Sequence, residues 1–548
     1  SGLDPNTYYE FRARAKMSGL PWSGWSETYL QWTSNGVFTV TPTHPYEHDF
    51  ELGAYNWTIG DGWQTQCEGG YNGSSYCAFS NGSTEVLMSP EINFSGCDNV
   101  IVRFWAKGAS GQFRIYSGTN FETVVSKSLQ QPSASYWRQY AFSLSQYMSG
   151  TVKIGFAPTN SNNLSIDDIE IVANAYDKVF DVPVSTNHQW SDPGNWWPHQ
   201  LPTSSDRVFI HGTAYVGEST GNNPITAQTG DMDFSSASQL NVYPGSILET
   251  PQAKISNITC RIYVYDGGQI KVSETTGNYV GMFKNIMQYN GDKDHYYLLA
   301  PTHDRAVNNY PANMLSGSYD LYKFDGNATD GLEWRNYETE NFALERGKGY
   351  LYSRNVSYTL MFAGSVLPVG EHTIENLTYG ANTEEKPFLN WNLVGNPFPC
   401  NAYLSGNRPF YRLEETAEGS RIVLATDNAI KPMEGVFVQA ETVEESSVTF
   451  TTTEPTRESG LNFTLSKQSE SRGTESVMAD RAIIRFGEGQ NLGKLNLMAD
   501  PNRLYIPMQG KDMAVVFSQP VGELPLNFEA AKNGTYTLSF ENATEGLM

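Results

Sequence analysis

The chain has 548 residues and a formal net charge of −23, too long for one ordinary domain. Besides keeping the protein soluble, an acidic field of this size repels nucleic acid and anionic lipid and favours divalent cations. Hydrophobic residues make up 39% and charged residues only 17%, with 13% aromatics and 49 Gly. That mix predicts an all-β, extracellular, multidomain protein with packed cores. No apolar run approaches the roughly 18 residues of a spanning helix, so no membrane-spanning segment is expected. Ser1 follows no leader-like stretch, and the start and Glu541–Met548 both read as cuts within a longer protein.

Taken in order, Tyr9, Phe11, Ala13 and Ala15 alternate with Glu10, Arg12 and Arg14 as one strand. Trp22-Ser23-Gly24-Trp25-Ser26 follows. Its rings and Arg12/Arg14 predict a cation–π ladder that stabilises the fold. Leu3, Pro5, Thr7 and Tyr9 have the spacing of a tyrosine corner. Residues 1–34 therefore resemble the last third of a fibronectin type III domain. A partial sandwich cannot close its own core, so this piece is predicted to be poorly packed or to borrow partners. Gly36–Tyr46 reads as a Thr- and Pro-rich linker.

Short alternating strands come next: Asn99–Lys107, Gln112–Tyr116, Tyr136–Leu144 and Val152–Phe156. They lie between His48-Asp49-Phe50-Glu51 and Ser165-Ile166-Asp167-Asp168-Ile169-Glu170-Ile171. This pattern resembles the MAM-like and cleaved-adhesin jelly rolls of bacterial surface proteins, over 46–174. The resemblance implies a calcium ion tying the two end strands together. Asp167 shares parity with Ile169 and Ile171, so it is predicted to point inward, where a carboxylate needs a cation or hydrogen bonds. Glu51 and Asp167 are the expected Ca2+ ligands, and Asp49 or Asp168 could replace one of them; hard oxygen donors suit calcium. The alternative is a carboxylate that accepts loop N–H bonds.

Strand parity also predicts an exposed patch. Val100, Val102, Phe104 and Ala106 take the core side, which turns Arg103 and Trp105 outward. The same argument turns Arg114, Tyr116 and Lys153 outward. Flat rings stack on sugar faces and guanidinium groups grip hydroxyls or carboxylates, so this patch is the expected site for a glycan or a host or cell-surface protein. The competing reading is that Trp105 and Tyr116 pack against a neighbouring module or a covering loop. Cys67 and Cys77 flank a Gly-rich loop and are expected to form a disulfide in an oxidising compartment. Cys97, Cys260 and Cys400 read as free thiols.

Further along, Trp190-Ser191-Asp192-Pro193-Gly194-Asn195-Trp196 and Asp206-Arg207-Val208-Phe209-Ile210 resemble the opening of short β-solenoid modules in large secreted bacterial proteins, here 178–285. A β-sandwich module is expected over 292–453. In it, Trp391-Asn392-Leu393-Val394-Gly395-Asn396-Pro397-Phe398-Pro399-Cys400 reads as a structural corner, with Gly395 permitting a positive φ. This stretch resembles a module of type IX secretion substrates of Bacteroidota. Residues 454–479 read as a polar loop or linker. Residues 480–548 look like the β-domain, truncated here, that precedes a type IX sorting domain. The resemblance implies the type IX secretion machinery as a partner and the outer-membrane surface or exterior as destination.

No nucleophile elbow, zinc helix or phosphate loop occurs. The expected fold is thus a chain of β-sandwiches, one a jelly roll, with a short β-solenoid-like module. The expected role is non-catalytic binding or adhesion; the alternative is the non-catalytic rear of a secreted peptidase or glycosidase whose active domain lies upstream.

Overall fold

The computed structural model describes the chain apart from residues 1–2, 4–7, 19–21, 33–35, 95, 109, 119, 131–134, 160–161, 183–186, 237, 252, 255–260, 275–279, 289–294, 304, 307–313, 417–418, 457–458, 469–475, 498–501, 521, 531–532 and 543–548. Pro5, Thr7, Cys260 and Met548 therefore lie outside the described residues. The described chain is all-β; its helical elements are short 3-10 turns. It divides into two compact units, one of residues 1–215, 228–240 and 253–261, the other of 216–227, 241–252 and 262–548.

In the first unit, Tyr8–Phe11 pairs antiparallel with Tyr29–Trp32. The Arg14 guanidinium lies 4.5 Å from the ring centres of both Trp22 and Trp25, so the expected ladder forms through Arg14. Arg12 instead binds Glu10 and Thr28.

The jelly roll is built from β1 (Tyr46–His48), β2 (Trp63–Glu68), β3 (Tyr76–Asn81), β4 (Val100–Gly108), β5 (Ser110–Ser117), β6 (Glu122–Gln130), β7 (Arg138–Ser143), β8 (Thr151–Pro158) and β9 (Asn163–Ala173). One sheet runs β7-β4-β9-β3-β2, with β1 also on β9. The other runs β6-β5-β8 and continues through Ile92–Asn93 to Phe38–Thr39. Their facing sides share one aromatic core, in which Phe104 meets Phe156 edge-on at 4.7 Å and Phe113 stacks on Phe142 at 5.0 Å. Each such ring contributes roughly 1.5–3 kcal/mol by leaving water. Phe38 and Val40 belong to this core. The supposed linker Gly36–Tyr46 therefore starts the domain, because Phe38 pairs in parallel with Ile92 and buries its ring.

Beyond the jelly roll, β10 (Lys178–Asp181) pairs in parallel with β11 (Val208–His211), and β11 with β12 (Met232–Phe234). Parallel strands recurring after 30 and then 24 residues (178, 208, 232) are what stacked coils require. In the second unit, Ile247–Thr250 pairs likewise with Gln269–Val272, and Ile262 with Val280. Tyr243, Tyr265 and Phe283 stack in file, with ring centres 4.9 and 5.0 Å apart.

The sandwich module of the second unit contains the sheet Trp391–Gly395, Gly435–Gln439, Tyr411–Thr416, Gly419–Leu424. Asn396 makes the corner. Its Nδ2 donates toward the carbonyls of Cys400 (2.9 Å), Ile430 (2.8 Å) and Lys431 (3.0 Å), while Oδ1 accepts from Phe398 N–H at 2.9 Å. Gly395 is not among the positive-φ residues. It is needed for space, since a Cβ there would lie 2.7 Å from the Lys348 carbonyl oxygen. The stretch 454–479 is not only loop: Gly460–Gln468 is a strand paired with Ser476–Phe486. Leu461, Phe463 and Leu465 supply a period of two within a polar composition.

Candidate functional site

Parity places Arg103 and Trp105 on the outer face of β4, as expected, because Val102, Phe104 and Ala106 take the core side. Trp105 is half-buried there, with Gln139 of β7 and Asp167 of β9 as its cross-strand neighbours. An open cleft runs over this face; Arg103, Trp105, Gln139, Glu170, Tyr55 and Leu52 line it, together with Glu47, Asp49 and Asp168. Arg103 is paired with Glu170 at 3.4 Å and bonded to the Tyr176 hydroxyl at 3.2 Å. The cleft is therefore acidic overall, against the expectation of a basic patch.

The expected patch is also divided. Arg114 and Tyr116 lie on β5 and Lys153 on β8, which belong to the opposite sheet. Their outer face points away from that of β4. Alternation assigns each strand an inside and an outside but not a sheet. Tyr116 does face away from the core, yet it is buried, packed over Gly155 beside Val86. Arg114 is bonded to Gln112, and Lys153 lies over the Phe121 ring, 3.6 Å from Glu91.

Asp167 corrects a second expectation. Ile166 opposes Ala106 and Asp167 opposes Trp105, so Asp167 faces outward with Trp105. The register shifts between Asp167 and Glu170, and Asp168 has φ 44°. This bulge inserts one residue, so the inward phase of Leu164 and Ile166 resumes at Ile169 and Ile171. Asp167 is nevertheless fully buried, under the loop between β2 and β3. Its Oδ2 accepts Tyr71 N–H at 2.7 Å and its Oδ1 accepts Asp168 N–H at 2.9 Å. Burial pushes its pKa up to about 6, opposed by those two donors.

Glu51 holds the other end of the loop, its Oε1 accepting from Ser74 Oγ at 2.6 Å and Tyr76 N–H at 2.8 Å. Asp49 accepts Glu51 N–H at 3.1 Å. The Asp168 carboxyl is shifted upward by burial and by the charges of Asp49 and Glu51. Asp168 thus feels Asp49 and Glu51 as neighbouring negative charges, while the Asp167 oxygens are taken by the N–H groups of Tyr71 and Asp168. No three acidic, His or Cys side chains converge on one metal position among the described residues. An ion here would need backbone carbonyls as well as carboxylates.

A family model described as "Domain of unknown function (DUF8693)" matches residues 184–407. No curated protein matches the chain. Among solved structures, the chain is similar to the K3 cleaved adhesin domain of Lys-gingipain from Porphyromonas gingivalis, with 21% identity over 23% of this chain and 98% of that one, and a TM-score of 0.19. It is similar to the CBM22-1 xylan-binding domain of Paenibacillus barcinonensis Xyn10C, with 17% identity over 23% of this chain and 92% of that one, and a TM-score of 0.19. A carbohydrate-binding module of Cellvibrio mixtus lichenase 5A has 13% identity over 23% of this chain and 95% of its own, also at 0.19.

Cys67 and Cys77 are cross-strand partners, but both are thiols, not a disulfide. Cys67 Sγ turns to Gln64 Oε1 at 3.6 Å. Burial first, then the Asp167 charge, raises the Cys77 pKa to about 11. Cys97 and Cys400 are free, as expected. Sequence reasoning missed Tyr71. Its ring stacks on Trp105 with centres 3.6 Å apart and planes 14° from parallel. The available signal was an aromatic residue in a Gly-rich hairpin loop, Gly69-Gly70-Tyr71-Asn72-Gly73.

Proposed function

We propose that this chain is a secreted or cell-surface, non-catalytic binding protein whose jelly roll takes a neutral glycan in the cleft beside Trp105. The observation that carries this reading is one half-buried indole on an outer sheet face, flanked by Gln139 and by the Arg103–Glu170 pair. The indole offers a flat apolar surface, and the amide and charged groups offer hydrogen bonds to hydroxyls. The acidic rim of Glu47, Asp49, Asp168 and Glu170 favours a neutral over an anionic sugar. A glycan array probed with the whole chain tests this. Trp105→Ala is expected to weaken the best neutral binder about tenfold, roughly 1.4 kcal/mol. Equal binding by variant and wild type rejects the cleft.

Calcium is part of the same proposal. Glu51, with Asp49 or Asp168 in place of the loop-bonded Asp167, would hold the ion together with backbone carbonyls, and the ion would offset the repulsion between these carboxylates. The type IX resemblance of 391–400 and 480–540 supports export to the cell exterior; fractionation of the native protein with cytosol would refute it.

A further inference from the structure

Trp105 divides two environments. On its Arg103 side lies the cleft, lined by Arg103 and Gln139. Tyr71 covers the indole from elsewhere; it does not line the cleft, and it meets Trp137 edge-on at 6.3 Å. Trp137 in turn lies under the Lys107 ammonium at 4.8 Å. Tyr71 is thus wedged against one face of Trp105 by a group that the cleft does not touch.

The loop that carries Tyr71 is placed by polar tethers at both ends. Asp167, buried beneath it, takes the Tyr71 N–H, and Glu51 takes Ser74 Oγ and Tyr76 N–H. Gly70 lets the backbone close on the carboxylate, since a Cβ there would stand 2.7 Å from Asp167 Oδ2. Asp167 is also the direct cross-strand neighbour of Trp105. One buried carboxylate therefore sits beside the indole and fixes the ring stacked on it.

We propose that Tyr71 is a positioning residue of the glycan cleft: it clamps one face of Trp105 so that the indole is held with its remaining surface toward the ligand, and Asp167 sets Tyr71 in place. This rests on the glycan reading of the cleft. An indole on a strand otherwise samples staggered rotamers, and ordering it on binding costs affinity. With the ring already stacked, that cost is met on folding.

The experiment uses the whole chain, with Tyr71→Ala, Tyr71→Phe and Trp105→Ala variants, and cellotriose and xylotriose as probes in calorimetry. Tyr71→Ala is expected to lose about five- to tenfold in affinity at an unchanged melting midpoint, and Tyr71→Phe to restore it, since the ring and not the hydroxyl makes the stack. Oxidation by N-bromosuccinimide, read at each Trp by peptide mass spectrometry, gives a readout free of ligand. Trp105 is expected to oxidise several-fold faster in Tyr71→Ala, with the other tryptophans unchanged. An unchanged Trp105 rate overturns the positioning role whether or not a sugar binds. A faster rate with no sugar bound by the wild type keeps the clamp and rejects the glycan reading. Affinity lost equally in Tyr71→Phe and Tyr71→Ala also overturns the stacking argument.

Discussion

Asp181, at the end of β10, is buried where the jelly roll meets the first parallel strands. Its Oδ1 accepts from Gln146 Nε2 at 2.6 Å, and its Oδ2 has no partner among the described residues. His211 Nδ1 stands 3.6 Å away but accepts the Ser143 N–H at 3.0 Å, so it presents a lone pair and not a proton. Burial lowers the His211 pKa to about 3, and the positive charge of Lys127 adds to this, so the imidazole is neutral. Burial raises the Asp181 pKa to about 6 from 3.8, against weaker lowering by Ser143, Gln146 and Lys127. The folded state thus binds this proton more tightly than the unfolded one. Its stabilising effect is fully present below about pH 3.8 and is lost as pH rises through about 6. A shift of about 2 units corresponds to roughly 3 kcal/mol. Asp181→Asn removes the charge but leaves an amide imperfectly paired, so a net gain of about 2 kcal/mol is expected at pH 7.5. For a unit of this size that is about 4–8 °C in melting midpoint. Near pH 4 the gain should vanish. Thermal melts of variant and wild type from pH 4 to 8, followed by fluorescence, measure it. A difference that stays constant with pH would refute the buried-carboxylate argument.

Millimolar calcium is expected to raise the melting midpoint of the jelly-roll unit, and Asp168→Asn to abolish the increment; a midpoint insensitive to both calcium and chelator would reject the ion. Asn396→Ala strips donors from buried carbonyls and the acceptor from Phe398 N–H. A loss of about 2–4 kcal/mol is expected in denaturant unfolding, and a change below about 0.5 kcal/mol would remove Asn396 from the corner's support.

The core of the jelly roll was legible in the sequence because Val100 to Ala106 alternate without interruption and Phe113, Ile115, Ile154 and Phe156 keep the same period. Where the period breaks, the reading broke with it. Asp167 and Ile169 have the same parity but opposite faces, since an inserted residue leaves no mark in composition. The division of Trp105 from Arg114, Tyr116 and Lys153 is a matter of pairing between distant strands, which local pattern does not encode. Tyr71 reaches Trp105 across 34 positions of sequence (105 − 71), through a turn whose glycines pointed only to a hairpin. At Gly395 the right residue was marked for the wrong cause: the corner needs missing volume, not a left-handed backbone.

The bulge at Asp168 makes β9 two half-strands joined out of phase, and this sets how the gene can change. Substitutions at 168 leave the phase intact, though the φ of 44° there favours Asp, Asn or Gly over other residues. Removing the codon is a different event. With residue 168 gone, a regular strand running on from Leu164 and Ile166 would still turn Ile169 and Ile171 into the aromatic core and Glu170 outward, whereas one residue lost from within either half-strand would exchange the two faces beyond it. Length is therefore freer at this one point than anywhere else in β9, and homologues that drop the extra residue should keep their apolar and polar positions on the same faces while losing the carboxylate that the bulge holds beside Asp49 and Glu51.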